Sequence, residues 1–244
     1  WQYQEALAVL RGRCLELGAP YFACREHWQF TVNPDGGMEF DDGQECFDLP
    51  QPSLKGPYQF MNAATAVAAA MCLESFDFRY GDIITGLQSA YWPARLQQIK
   101  YGKVVANLPK KWEIWLDGAH NSAGAEMLAL MIEQHWQDKP IFLINGRTAG
   151  KDIAAFLRPF TGRIQKVYAV PVCLEPRSEN PQKIAQVASQ LGFQTEVCDS
   201  VSAAIATCIS SMARHADSFG NNGARILVTG SLYLAADLHE GIGL

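Results

Sequence analysis

The segment Asp117–Asn121 carries the side chains best suited to hold a nucleotide. It follows the apolar run Ile114–Leu116 and precedes a helical pattern. A carboxylate in this position can accept hydrogen bonds from a ribose diol, and the N–H groups at the start of a helix favour phosphate oxygens. His120 could contact the nucleotide or a second substrate, whereas Asn121 is expected to cap the helix. An ordinary strand-to-helix turn is the alternative, and replacing Asp117 would then reduce stability alone.

Ser231 occupies a similar position, after the apolar run Arg225–Thr229. Its place before a helical pattern is that of an N-cap, and capping alone would explain it. Because ligands collect at the carboxyl ends of parallel strands, Ser231 is also predicted to lie at the same sheet edge as Asp117. It is therefore a second candidate for a substrate contact.

Gln59 and Asn62 lie three residues apart at the head of an alanine-rich helical segment, Phe60–Leu73. Residues at this spacing project from about the same face of a helix. Each amide offers a donor and an acceptor, which suits the edge of an adenine ring. The alternative is that both side chains cap the unpaired N–H groups of their own helix.

Arg95 lies three residues after Trp92, in the predicted linker Tyr91–Arg95. Trp92 precedes a proline, which disfavours helical backbone and so separates two regions of the chain. A guanidinium at this place could bind a phosphate with bidentate geometry. A surface salt bridge is the alternative.

Several common nucleotide and hydrolase motifs are absent from the sequence. The segment Asn145–Asp152 resembles a phosphate-binding loop, but its glycines are one residue too close and Asp152 stands where a hydroxyl should be. No Gly-x-Gly-x-x-Gly or Gly-x-Ser-x-Gly pattern occurs, which argues against a nicotinamide-dependent reductase and a common α/β hydrolase. Arg177 could contact a substrate, although a solvated loop charge is the simpler interpretation.

The composition is that of a globular protein that does not bind nucleic acid. Of the 244 residues 48% are hydrophobic and 18% are charged, the formal net charge is −5, and the sequence contains no Lys/Arg cluster. The longest apolar stretch is too short to span a bilayer, and no signal segment opens the sequence. Seven cysteines without Cys-x-x-Cys spacing predict neither a disulfide framework nor a zinc site, so a cytoplasmic setting is expected.

Residues 1–92 are predicted to form a β-meander with helices around it. Apolar residues at helical spacing cover Glu5–Leu17, and Gly18 ends this helix. Short extended runs separated by turn residues are expected at 21–24, 29–32, 38–40 and 45–49. Two further helices are expected at Phe60–Leu73 and Tyr80–Ala90.

Residues 93–244 show an alternating strand–helix pattern. Short apolar runs predict strands at Glu113–Asp117, Pro140–Asn145, Lys166–Val170, Gln194–Cys198 and Arg225–Thr229. Helices are predicted at Ala123–Trp136, Asp152–Leu157, Pro181–Leu191, Val201–His215 and Leu232–Leu238. This order implies an α/β fold with a Rossmann-like, mostly parallel, doubly wound sheet, preceded by the end of a mixed α/β domain. A small hairpin is expected within Ile99–Pro109.

Four segments, in this order, resemble the folylpolyglutamate synthase and dihydrofolate synthase family, within the wider group of Mur ligases. They are Tyr58–Ala63, Trp92–Leu96, Leu116–Asn121 and Thr229–Tyr233. The Asp-Gly-Ala-His-Asn segment and the Trp-Pro-x-Arg linker form the most specific pair. The sequence departs from the family pattern at Ser122, where proline is usual, and at Ala94, where glycine is usual.

The resemblance implies an ATP-dependent amide ligase of folate biosynthesis and one-carbon metabolism. Such an enzyme adds L-glutamate to a folate or pteroate carboxylate through an acyl phosphate. The residues implied to bind ATP are Gln59, Asn62, Arg95, Asp117 and His120. Within this set the amides are assigned to adenine, the arginine to the phosphates and the carboxylate to the ribose. His120 and Ser231 are implied to contact the substrate on the glutamate side.

The family's phosphate loop, magnesium ligands and carbamylated lysine belong to an N-terminal half that has no counterpart in this sequence. The resemblance therefore implies that residues 1–92 are the C-terminal part of the central ATP-ligase domain and residues 93–244 the C-terminal ligase domain. ATP and Mg²⁺ are the expected cofactors, with the Mg²⁺ ligands in the missing part. No catalytic or metal-binding residue is assigned in this fragment, which is expected to be inactive alone. The full-length protein is expected to be a monomer that acts on small molecules and binds neither nucleic acid nor membranes.

Two alternatives stay open on the sequence. One is a Mur-type ligase that extends a peptidoglycan precursor, and the other is a non-catalytic module that binds a nucleotide. Substrate screening on the intact protein separates the first alternative from a folate ligase. Micromolar ATP binding by the isolated chain without metal would favour the second.

Overall fold

The computed structural model of the protein describes residues 4–73, 75–173, 175–213 and 222–235. The chain divides into two compact units, Trp1–Tyr91 and Trp92–Leu244. Each unit has its own hydrophobic core. Within the described ranges, no helix is long and apolar enough to cross a membrane.

The first unit contains an antiparallel sheet and helices. Its elements, in chain order, are helix α1 (Gln4–Leu17), strands β1 (Gln29–Val32), β2 (Met38–Asp41) and β3 (Cys46–Leu49), and helices α2 (Tyr58–Met71) and α3 (Tyr80–Ser89). The strands pair in the order β1–β2–β3, which confirms the predicted meander. The prediction of an extended strand at 21–24 is wrong: Cys24 forms only an isolated bridge with Trp28, and the chain turns directly after it, where the Arg25 N–H donates to the carbonyl of Trp28.

The turn between β1 and β2 follows from its own sequence. Gly36 has a φ of 91°, which a residue with a side chain rarely adopts. The Asn33 N–H donates to the Gly37 carbonyl, and the Gly37 N–H donates to Asp35 Oδ1 at 3.0 Å. The resulting register buries Met38, which packs in one cluster with residues of α2 and α3.

The second unit is built on one sheet of six strands. They are β4 (Gln97–Ile99), β5 (Glu113–Asp117), β6 (Ile141–Asn145), β7 (Lys166–Ala169), β8 (Gln194–Val197) and β9 (Arg225–Thr229). They lie in the order β4–β5–β9–β6–β7–β8. Strand β4 pairs antiparallel with β5, and every other neighbouring pair is parallel. The predicted mostly parallel sheet is therefore confirmed.

The prediction of a separate hairpin within Ile99–Pro109 is wrong. Its first residue belongs to the edge strand β4, and Lys103–Ala106 form a short helix, α4. Val104 and Val105 pack against the core from this helical turn. Burial of these two side chains decides the local structure, although β-branched residues favour strands in isolation.

The remaining helices of the second unit connect the parallel strands. They are α5 (Ser122–His135), α6 (Ile153–Leu157), α7 (Pro181–Gln190) and α8 (Val201–Ala213), with a 3₁₀ turn at Arg158–Phe160. Residues 233–235 are also helical. The predicted end of the helix Val201–His215 and the last three residues of the predicted helix Leu232–Leu238 lie outside the described residues.

Alternate residues of the sheet face two separate cores. Ile144 and Val228 lie in a cluster with residues of α8, whereas Leu143 and Leu227 lie in a cluster with residues of α5, α6 and α7. Helices therefore cover both faces, which confirms the doubly wound arrangement. Because β8 connects to β9 through α8, the chain returns along the opposite face and β9 enters between β5 and β6.

Candidate functional site at the carboxyl edge of the sheet

Polar residues end three neighbouring parallel strands in the second unit. Asp117 of β5 pairs in register with Thr229 of β9, and Thr229 pairs with Asn145 of β6. All three side chains are buried. The loops that follow β5 and β9 carry His120 and Ser231 at this carboxyl edge, the side on which open α/β sheets bind ligands. The predicted placement of Ser231 at the same edge as Asp117 is confirmed.

The Asp117 carboxylate is only 4% exposed and accepts two backbone hydrogen bonds. Its Oδ2 accepts from the Leu96 N–H at 2.8 Å, and its Oδ1 accepts from the Ala119 N–H at 2.8 Å. The side chain therefore fastens the segment before β4 to the turn after β5. A ribose contact of Asp117 stays a prediction beside this positioning role.

Arg95 lies between two residues with left-handed backbone. Ala94 and Leu96 have φ values of 57° and 46°, which residues with a side chain adopt only where the surrounding structure holds them. The Ala94 carbonyl accepts from the Gly118 N–H at 2.8 Å, and the bond from Leu96 to Asp117 holds the other side. The Arg95 Nη1 lies 3.2 Å from the point that a Cβ at Gly118 would occupy.

This geometry brings the Arg95 guanidinium to the turn between β5 and α5. Within the described ranges Arg95 forms no ion pair, so the alternative of a surface salt bridge is not supported. A Cβ at position 118 would lie 2.3 Å from Leu232 Cδ2, so any larger residue there would require the Leu232 side chain to shift. The phosphate contact of Arg95 stays a prediction.

His120 is half-buried, and its ring is oriented by the same turn. Its Nδ1 lies 3.1 Å from the carbonyl oxygen of Gly118. Since a carbonyl only accepts, this bond places the proton on Nδ1 and leaves Nε2 as an acceptor for a ligand. Asn121 accepts from the Gly124 N–H at 2.9 Å, which confirms its predicted role as the N-cap of α5.

The connection after β9 is interlocked with the connection after β5. The Gly230 N–H and the Thr229 hydroxyl both donate to the carbonyl of Ala119. The Ser231 Oγ accepts from the Tyr233 N–H at 3.2 Å, and Ser231 is 4% exposed. The local hydrogen bond expected of a capping serine is therefore present, and a substrate contact of Ser231 stays a prediction.

In the first unit, Gln59 and Asn62 bond to each other rather than to the end of their helix. The Asn62 Nδ2 donates to Gln59 Oε1 at 3.0 Å, so the amide oxygen of Gln59 is already hydrogen-bonded. The N-cap of α2 is Pro57, with no side-chain cap, so the alternative that both amides are helix caps is wrong. Gln59 is 3% exposed and its Nε2 has no hydrogen-bond partner in the described part of the unit.

Both amides line a cleft of about 340 Å³ between α2 and α3. The rest of the lining is mostly apolar and includes Ala63, Val67 and Ile83. An apolar cleft of this size with a few polar groups is typical of small-molecule sites. The pair could therefore hold a flat heterocycle by hydrogen bonds to its edge, as predicted for adenine.

One prominent residue of the second unit escaped the sequence-based prediction. Arg147, in the connection between β6 and α6, is 0% exposed, and burial lowers the pKa of its guanidinium. Its segment resembles a phosphate-binding loop in sequence, and nothing in the local pattern marks an arginine as buried. Among the described residues, no group of three His, Cys, Asp or Glu side chains could hold a metal ion.

Comparison with known proteins places these features in a family. Residues 97–241 match the family described as "Dihydrofolate synthetase, C-terminal domain". The chain is similar to the folylpolyglutamate synthase of Lacticaseibacillus casei, with 29% identity over 205 residues, 83% of this chain and 42% of that protein. It is also similar to the dihydrofolate synthase/folylpolyglutamate synthase of Bacillus subtilis strain 168, with 24% identity over 243 residues, 97% of this chain and 52% of that protein.

Solved structures of similar proteins share the fold. A Mycobacterium tuberculosis folylpolyglutamate synthase complexed with ADP superimposes with a TM-score of 0.80 at 18% identity. The match covers 100% of this chain and 54% of that one. The chain thus spans about half the length of the curated relatives it matches.

Proposed function

Because this chain belongs to the family of dihydrofolate synthetase C-terminal domains, we propose that it is part of an ATP-dependent amide ligase. The reaction joins L-glutamate to a folate or pteroate carboxylate. ATP first converts that carboxylate to an acyl phosphate and releases ADP, and the glutamate amine then displaces phosphate to form the amide. The observation that carries the proposal is the convergence of Arg95 and His120 on one turn at the carboxyl edge of the sheet.

The residues of the second unit are suited to bind the phosphates and ribose of ATP and the incoming glutamate. Arg95 supplies a guanidinium for the phosphates, whose charge increases on the leaving oxygen as the bond breaks. His120 offers an Nε2 acceptor to the nucleotide or to the glutamate amine. Asp117 holds the backbone that follows Arg95 and the turn after β5 in place, and it is assigned to a ribose hydroxyl. Ser231 is assigned to the glutamate side.

The residues of the first unit suit the base of the nucleotide. Gln59 retains an unpaired, buried Nε2 donor, and Asn62 lies beside it in the cleft between α2 and α3. An adenine ring has both acceptor and donor atoms on its edge, so the amide pair can satisfy it. We assign both amides to adenine.

Mg²⁺ is proposed to bind outside the described residues, since these contain no suitable cluster of ligands. Bound there, the metal would neutralise charge on the transferred phosphoryl group. The half-length match to the relatives supports the view that a phosphate-binding part belongs to the same enzyme. The 244-residue chain alone is therefore proposed to lack ligase activity.

The test is ADP release by the intact protein that contains this chain. Release that requires both a folate or dihydropteroate acceptor and L-glutamate is expected. Arg95→Ala should lower kcat/KM about 100-fold, whereas the control Arg177→Ala, at an arginine side chain that is 80% exposed, should not. Release that depends on a muropeptide acceptor would favour the Mur-type alternative, and ATP binding without any turnover would favour a non-catalytic module.

A further inference from the structure

The connection between β6 and α6 contains a buried cation without a hydrogen-bond acceptor. Arg147 is 0% exposed, and its Nε, Nη1 and Nη2 atoms have no partner among the described residues. A guanidinium has five N–H donors and cannot lose its charge at neutral pH. Leaving these donors unpaired inside a protein is strongly unfavourable, so we expect a hydrogen-bond acceptor to bind this side chain.

The residues around Arg147 contact the flat face of its guanidinium but accept no hydrogen bond from its N–H groups. Its guanidinium carbon lies 4.6 Å from the ring centre of Phe156, which is fully buried. The nearby carboxylates have other partners: Asp152 caps α6 through the Ala155 N–H, and Glu179 binds the Lys183 ammonium at 2.9 Å. Neither forms an ion pair with Arg147.

A second cation and a second unpaired group belong to the same segment. Burial and the Arg147 charge together lower the pKa of the Lys151 ammonium. The Asn145 Nδ2 donates to the Thr229 carbonyl, whereas the buried Asn145 Oδ1 has no donor among the described residues. The segment thus offers unpaired donors with positive charge and, two residues earlier, an unpaired acceptor.

This segment lies at the carboxyl edge that also carries His120 and Ser231. Strand β6 is separated from β5 by β9 alone, so the two strands are about 10 Å apart. The backbone of the segment is held by the neighbouring connection: the Arg147 carbonyl accepts from the Glu179 N–H, and the Ala149 N–H donates to the Arg177 carbonyl, each at 2.7 Å. Arg147 therefore lies at the edge where the second unit is proposed to receive its substrates.

We propose that Arg147 binds the side-chain carboxylate of the incoming amino acid and so makes the ligase specific for an acidic one. The inference rests on the proposed function. A planar guanidinium pairs with a carboxylate through two parallel hydrogen bonds, and a buried position strengthens that attraction. The Asn145 Oδ1 would accept from the amino group of the same ligand. Since the guanidinium is fully covered, the connections after β6 and β7 must shift to admit the carboxylate.

The test compares Arg147→Met and Arg147→Lys in the intact protein, with Arg158→Met as the control at an exposed arginine of the neighbouring 3₁₀ turn. Arg147→Met should raise the KM for L-glutamate at least about tenfold and leave the KM for ATP unchanged. Arg147→Lys should give an intermediate value. The Tm of Arg147→Met should be equal to or above that of the wild type, because methionine removes an unpaired buried charge.

A purely structural arginine gives the opposite pattern, in which Arg147→Met lowers the Tm and leaves the KM for glutamate unchanged. That result, or a rise in the KM for ATP alone, overturns the inference. If the wild type shows no glutamate-dependent ADP release, the proposed function fails. The inference about Arg147 is then tested separately by the nitrogen-15 NMR signal of its Nε, which is identified by its loss in Arg147→Met. A shift of this signal on titration with L-glutamate, but not with L-glutamine, supports it, and no shift contradicts it.

Discussion

The two units of the chain differ in how completely their described residues bury apolar side chains. The second unit has a core on each face of its sheet, and side chains such as Phe156 and Phe160 are fully covered. The first unit has one small cluster, and its helix α1 buries no residue. Large apolar side chains are exposed there, including Leu15 and Phe76.

From this difference we expect the second unit to be stable by itself and the first to be only marginally stable. A 14-residue helix gains most of its stability in proteins from packing, and α1 has no fully buried residue. Exposed apolar surface of this kind marks an interaction site. The missing half proposed for the enzyme is a natural source of such packing.

The largest expected effect comes from separating the units. Residues 92–244 should unfold in one cooperative transition with urea, because the sheet is covered on both faces. Residues 1–91 should show helical circular dichroism but no cooperative transition in the near-ultraviolet signal. Cooperative unfolding of 1–91 alone would show that its small core suffices and would remove the contrast.

Within the second unit, Asp117→Ala should be the most damaging change at the carboxyl edge. It removes the acceptor of the Leu96 and Ala119 N–H groups, so the free energy of unfolding should fall by about 3 kcal/mol. Asp117→Asn is the matched control, because it keeps one acceptor oxygen and should lose less. Urea denaturation of residues 92–244 measures both, and a change within about 0.5 kcal/mol would exclude the positioning role.

At the amino end of the same strands, Glu113 should make the free energy of unfolding depend on pH. Glu113 is partly desolvated, which raises its pKa, but hydrogen bonds from Lys139, Trp115 and Arg225 outweigh this and lower it below the usual value. A lowered pKa gives stability that is present above the unfolded pKa of about 4.3 and is lost as pH falls through the folded pKa.

The difference in unfolding free energy between wild type and Glu113→Gln should therefore be largest near pH 7 and shrink below about pH 4.3. One proton changes the slope by at most about 1.4 kcal/mol per pH unit. Urea denaturation of residues 92–244 across pH 3–7 checks this. A difference independent of pH would mean that Glu113 contributes by packing rather than by charge.

The smallest expected effect is the loss of one helix cap. Asn121→Ala removes the acceptor of the Gly124 N–H at the start of α5 and should lower the free energy of unfolding by about 1 kcal/mol. Asn121→Asp keeps an acceptor and should be nearly neutral. Thermal unfolding of residues 92–244 separates the two, and equal losses would contradict the capping role.

The sequence by itself determined the elements of the second unit and the ends of its central strands. Apolar runs of five residues bounded by turn residues fit buried parallel strands, and Glu113–Asp117 and Arg225–Thr229 were predicted with their observed bounds. The cap at Asn121 was equally predictable, because a capping side chain bonds to N–H groups a few residues away. These features depend on local contacts, so local pattern suffices to predict them.

Only the tertiary structure decided how remote segments meet. It inserts β9 between β5 and β6, bonds Asp117 to Leu96 across 21 residues, and holds Ala94 and Leu96 in left-handed backbone around Arg95. It also buries Arg147, whose charge and polar neighbours in sequence favour an exposed loop. Burial and hydrogen-bond partners are set by chain segments far away in sequence, so no local pattern of residues could have revealed them.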